Sequence, residues 1–122
     1  MAEQGFRQYV GLQAGPARDG RAEVRLVAGD RHLNPHGSVH GGVLATLADT
    51  AMGLAVASTG DGERPVTIEM KVTYLQPGQP GLLRAEATTR KPGRRITIVE
   101  AEVFQGDSGD VVAHAIATFT TD

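Results

Sequence analysis

The spacing of apolar residues in this chain changes near residue 60. Between Gly41 and Ser58 (GGVLATLADTAMGLAVAS) they recur at Val43, Leu44, Leu47, Ala48, Ala51, Leu54 and Ala55. That is the three-to-four spacing of one helix face, in a segment rich in alanine, the best helix former. Gly42, Thr46, Asp49, Thr50 and Gly53 form a second stripe of small or polar residues on another face. From Val66 onward the period is two. Val66, Ile68, Met70, Val72 and Tyr74 alternate with Thr67, Glu69, Lys71 and Thr73, which predicts a strand with one buried face. Leu83, Ala85 and Ala87 repeat the pattern, as do Val99, Ala101 and Val103, and Val111 to Phe119 is a fourth, mostly apolar run.

Breaks at Gln76-Pro-Gly-Gln-Pro-Gly81, Lys91-Pro-Gly93 and Gln105-Gly-Asp-Ser-Gly109 supply turns between these strands. Read in order, the four strands predict a β-meander. Ala22, Val24 and Leu26, alternating with charged neighbours, add one strand before the helix. The expected class is α+β, with one long helix on a five- to six-stranded antiparallel sheet. One helix covers such a sheet only if the sheet curls around it.

With 122 residues, 40% of them apolar and 21% charged, the expectation is a single soluble domain over residues 1–122. A net charge of −2 gives no reason to expect nucleic acid or an anionic membrane as partner, so a small molecule is favoured. Glu3 and Arg7 interrupt the N-terminus where a signal peptide needs an apolar run, and Asp49 interrupts the most apolar segment. A cytoplasmic location is expected by default. There is no cysteine, which removes disulfides, thiolate ligands and thiol nucleophiles.

Three of the four histidines stand four residues apart, at His32, His36 and His40. On a helix that spacing would suggest a metal site. Asn34-Pro35 and Gly37 disfavour the helix, and no H-E-x-x-H or C-x-x-C pattern is present. The segment therefore reads as a loop, and no metal is expected. It leads into His40-Gly41-Gly42 at the predicted helix start, where free amides and the positive end of the dipole suit an anion or a developing oxyanion. Asp49 lies mid-helix, where aspartate is unfavourable and costly if buried unpaired. It either faces solvent with Thr46 and Thr50 or does chemistry.

Asn34-Pro-His-Gly-Ser-Val-His-Gly-Gly-Val-Leu-Ala-Thr-Leu-Ala-Asp49 resembles the motif N-x-x-G-x-x-H-G-G-x-x-x-x-L-x-D of the hotdog-fold thioesterases, in their phenylacetate-degradation (PaaI-like) branch. Val66-Thr-Ile-Glu-Met-Lys-Val-Thr-Tyr-Leu-Gln-Pro77 is similar to the long strand that follows the helix there. The resemblance implies a hotdog fold and hydrolysis of an acyl-CoA thioester, with a small aryl or short-to-medium acyl group and no cofactor. It implies Asp49 as general base or nucleophile, the Gly41 amide as oxyanion donor, Asn34 as a polar group near the thioester and His40 in an orienting or leaving-group role. Thr67 falls where relatives position water.

Gly41 and Asp49 are eight residues apart on one helix, a rise of roughly 12 Å, too far for both to touch one carbonyl. Both can act on one thioester only across a two-fold dimer with antiparallel helices. The resemblance implies such a homodimer and favours its assembly to a homotetramer. Arg90, Arg94 and Arg95, with Lys91, form the one dense basic cluster; it is either a solvated hairpin or a site for coenzyme A phosphates. Two other activities stand as alternatives: a non-catalytic acyl-CoA sensor, and a hydratase or dehydratase, which the Asn34, Gly41, Asp49 set fits less well.

Overall fold

The computed structural model describes residues 5–60, 64–107 and 109–121. Glu3 of the N-terminal stretch and Ser108 of the predicted third turn lie outside them. A short helix α1 (Phe6–Val10) precedes strands β1 (Gln13–Arg18) and β2 (Arg21–Ala28), and a single turn at Asp30–His32 leads to helix α2 (Gly41–Ala57). Strands β3 (Val66–Tyr74), β4 (Gly81–Lys91), β5 (Ile96–Gln105) and β6 (Val111–Thr120) follow. All six strands form one antiparallel sheet with α2 packed across it. This is the hotdog architecture.

The helix buries Leu44, Leu47, Ala48, Ala51, Met52, Ala55 and Val56. The stripe is therefore turned slightly from the expected one, with Met52 and Val56 in the core and Val43 and Leu54 at its margin. Facing it, Ala22, Ala28, Ala85, Ala87, Ala101, Ala113, Ala115 and Ala117 keep the sheet's concave side thin, so a single helix can lie close to several strands. Leu26, Leu83, Val99 and Val103 fill the spaces between.

The expected meander holds only for β4, β5 and β6. The strand order is β1-β2-β4-β5-β6-β3, so β3 pairs with β6 at the sheet's edge and not with β4. The reason lies in residues 75–80, where Pro77 and Pro80 cannot donate to a ladder. That segment is no hairpin. It crosses the end of the sheet, held by Val39 N–H to Gly78 O (2.8 Å) and by Gln79 N–H to Gln105 Oε1 (2.7 Å). Gly78 is buried there, and a Cβ on it would stand 3.3 Å from Val39 Cβ. At the opposite edge β1 is exposed along its length and carries an irregularity between Ala14 and Ala17, near Pro16, so no alternation marked it in the sequence.

Candidate active site

The three histidines of the loop go to different tasks. His32 is buried; its Nδ1 accepts from Gly29 N–H (2.9 Å) and its Nε2 donates to Val10 O (2.7 Å), which ties α1 to the loop. His36 is exposed. His40 caps α2, its Nδ1 accepting the Gly42 N–H at 2.8 Å. With Nδ1 used as acceptor, the neutral ring carries its proton on Nε2, on an exposed side chain. Among the described residues no group of three His, Cys, Asp or Glu side chains is placed to hold a metal.

Asn34 organises the loop from inside. Its Oδ1 accepts from His36 N–H (2.9 Å) and Ser38 N–H (3.2 Å), and its Nδ2 donates to Ser38 Oγ (2.9 Å). These bonds set Asn34 and Ser38 on the wall of a cleft of about 360 Å³ that also includes Gly41, Leu44, Tyr74 and Pro77. At the helix start both glycines meet close neighbours. A Cβ on Gly42 would stand 3.0 Å from His40 Nδ1, and one on Gly41 would stand 3.2 Å from Tyr74 Cζ. Tyr74 also donates its hydroxyl to Gly41 O at 3.0 Å, pinning that peptide unit. The Gly41 N–H, first of the helix, has no hydrogen-bond partner among the described residues. Sequence reasoning missed Tyr74 because alternation assigned it to a buried face.

Asp49 and Thr67 are brought together. Thr67 Oγ1 donates to Asp49 Oδ1 at 2.6 Å, between half-buried side chains. Strict alternation would put Thr67 on the face opposite Met70 and Val72. The register of β3 against β6 shifts between Thr67 and Glu69, a β-bulge whose extra residue reverses the phase. Thr67, Met70 and Val72 therefore share the helix side, whereas Val66 (59%) and Ile68 (54%), expected in the core, are exposed. The pair lines a cleft of about 280 Å³ with Arg7, Thr50, Gly53, Leu54, Ala57, Pro65 and Phe119. Asp49 and Gly41 thus open into different clefts of one chain.

The basic cluster is divided. Arg90 Nε lies 2.7 Å from Glu100 Oε1, and Glu100 Oε2 lies 2.6 Å from His114 Nε2, all on the outer face of the sheet. Arg94 and Arg95 are exposed on the turn from β4 to β5, and their side chains have no partner among the described residues. The hydrogen bond with His114, then that with Arg90, holds the Glu100 carboxyl below its ordinary value. A depressed folded-state pKa stabilises the fold above the unfolded value and loses that contribution as pH falls through the folded one. Wild type should therefore melt a few degrees above Glu100→Gln at neutral pH. The gap should be small, since such exposed pairs contribute at most about 1 kcal/mol, and it should close as pH falls from the ordinary carboxylate range through the lowered folded-state value. Thermal melts of the two proteins across that range check this.

The family model described as thioesterase superfamily matches residues 36–112, from His36 within the loop through α2 and the strands to the start of β6. A conserved protein of Pseudomonas aeruginosa has a similar structure, with a TM-score of 0.92, 39% identity, and coverage of 98% of this chain and 94% of that one. The phenylacetic acid degradation protein PaaI of Thermus thermophilus is similar at a TM-score of 0.87 and 30% identity, over 96% of this chain and 98% of that one. Among sequence relatives, acyl-coenzyme A thioesterase 13 of Pongo abelii is 26% identical over 80% of this chain and 70% of its own length. The chain belongs to the thioesterase superfamily, in its PaaI-like part, and is a thioester hydrolase.

Proposed function

We propose that this protein hydrolyses acyl-CoA thioesters with a small aryl or short- to medium-chain acyl group, as a homodimer with two composite sites. The observation that carries this reading is the Asp49–Thr67 pair at 2.6 Å, half-buried in an apolar-walled cleft of a thioesterase-family chain. Thr67 occupies Oδ1 and fixes the carboxylate's orientation. Oδ2 is left to take a proton from water or to attack the carbonyl carbon directly. In the first route the water oxygen bonds to that carbon as its proton passes to Asp49. The carbonyl oxygen becomes an oxyanion, which an unpartnered amide such as Gly41 N–H stabilises by roughly 2.7–4 kcal/mol. Collapse expels the thiolate, which takes a proton, and the free acid and CoA leave.

The dimer follows from where the two groups lie. Gly41 and Asp49 of one chain face separate clefts, so one thioester reaches both only across a subunit boundary. Strand β3 ends the sheet with an open edge and exposed Val66 and Ile68. Antiparallel pairing of two β3 edges about a two-fold axis would bring the two α2 helices alongside each other, head to tail. His40 Nε2–H and Asn34 would then act on the leaving group and thioester from the partner's loop. Further assembly to a homotetramer is part of the proposal. The outer sheet face suits it poorly, since burial would desolvate Arg25–Glu23 and Arg90–Glu100. Of the three arginines of the basic cluster, Arg94 and Arg95 are free to take CoA phosphates, while Arg90 would first have to leave Glu100.

Thiol release from CoA thioesters ranging from acetyl through arylacetyl to long chain tests the reading. The absence of cysteine gives the thiol reagent no protein background. Turnover confined to the aryl and shorter acyl esters is the expected result. No turnover on any ester, with tight acyl-CoA binding, would make this a sensor.

A further inference from the structure

The Asp49 cleft contains one cation that the hydrolysis above does not use. Arg7, on α1, lines it together with Asp49, Thr67 and the apolar Leu54, Ala57, Pro65 and Phe119. Arg7 as a residue is half-buried, and its side chain has no hydrogen-bond or ion-pair partner among the described residues, Asp49 included. Arg25, Arg90 and Arg31 are engaged, with Glu23, Glu100 and Val10 O, whereas Arg21, Arg64, Arg94 and Arg95, which also have no partner among the described residues, are exposed. An arginine that lines a cleft with no partner of its own can offer its five donors to an anion from elsewhere.

Arg7 is also held in place. Val10 of the same short helix is buried, and its carbonyl accepts from Arg31 Nη2 (3.1 Å) and His32 Nε2 (2.7 Å). Gly11 closes the helix in the left-handed region at φ 95°, and Leu12 packs on the core. The helix therefore presents Arg7 to the cleft from a docked position. Asp49, Gly53 and Ala57 follow each other at four-residue steps on α2, so the walls extend roughly 12 Å along the helix. That length takes an acyl group beyond acetyl.

We infer that the preferred acyl group ends in a carboxylate, bound by Arg7, with its apolar body along Gly53, Leu54 and Phe119. This rests on the thioesterase reading above. A second negative charge near Asp49 would otherwise be repelled, and Arg7 is the cation placed to offset it. The acyl group would enter as the monothioester of a dicarboxylic acid, and hydrolysis of its one thioester bond would release the diacid and thiol.

The test compares a carboxylate-ended acyl thioester with its methyl-ended isostere on the same carrier, in wild type and in Arg7→Gln, which keeps helix propensity. Wild type should favour the carboxylate-ended ester in kcat/KM, chiefly through KM. Arg7→Gln should lower that preference about tenfold or more. An unchanged preference overturns the inference, including the case where both constants fall together because Arg7 holds the carrier's phosphates. No preference in wild type overturns it as well. Should wild type cleave no thioester, the parent reading fails by itself, and calorimetry with the free dicarboxylic acid then decides. Binding to wild type that weakens about tenfold in Arg7→Gln supports the inference, and equal or absent binding overturns it.

Discussion

Asp49→Asn should yield a folded protein whose turnover is lower by about 10³-fold. The amide is isosteric with the carboxylate and keeps an oxygen to accept the Thr67 hydroxyl, a bond of 2.6 Å in the native site. Asparagine and aspartate have similar helix propensities, so α2 loses little. The amide cannot take up the water's proton and is too weak a nucleophile to attack the thioester. The loss should fall on kcat with KM little changed, because Asp49 acts on the reacting atoms and contributes little to ground-state binding. Melting should stay within a few degrees of wild type. Thr67→Val should cost less, about tenfold, by freeing the carboxylate to rotate. Saturation kinetics on a good thioester, with melts of each variant, check both. If Asp49→Asn keeps more than about a tenth of wild-type kcat, Asp49 is not the reacting group.

The helix and its motif were legible because both follow from local spacing. Leu44, Leu47, Ala48, Ala51 and Ala55 recur every three or four residues, and the core stripe contains all of them. What failed depended on more than one strand. Alternation assigned Val66 and Ile68 to the core, but the bulge before Glu69 exists only in the pairing with Phe119 and Thr118 of β6. Nothing within Val66-Thr-Ile-Glu reports it. The same bulge turns Thr67 toward Asp49, so the site's closest contact arises at the place where the strand pattern breaks. Sheet order was likewise hidden, since residues 75–80 have turn composition and yet cross the sheet end. Alternation assigned Tyr74 to the buried face, where it is in fact half exposed, and Arg7 had no spacing signal at all. Tyr74 is placed beside Gly41 by the edge position of β3, and Arg7 beside Asp49 by the docking of α1.

Gly41→Pro should lower turnover by about 10²–10³-fold without unfolding α2, because it removes the N–H assigned to the oxyanion. Gly41 is the first residue of the helix, where proline's missing donor costs no intrahelical bond. His40 precedes it at φ −58° and ψ 135°, the extended region that a residue before proline requires. The new Cβ would stand 3.2 Å from Tyr74 Cζ, but that ring is half exposed and can shift by a few tenths of an ångström. Gly41→Ala meets the same ring and keeps the N–H, so it separates crowding from the lost donor. Combined in one dimer, Gly41→Pro and Asp49→Asn test whether the site is shared. A subunit carrying each change leaves one site with both defects and the other with neither. The doubly tagged heterodimer should therefore recover about half the wild-type activity, although each homodimer is nearly inactive. A site built within one chain would leave both sites of the heterodimer defective and restore nothing. Activity of the purified heterodimer distinguishes the two arrangements, because only completion across the boundary returns an intact site.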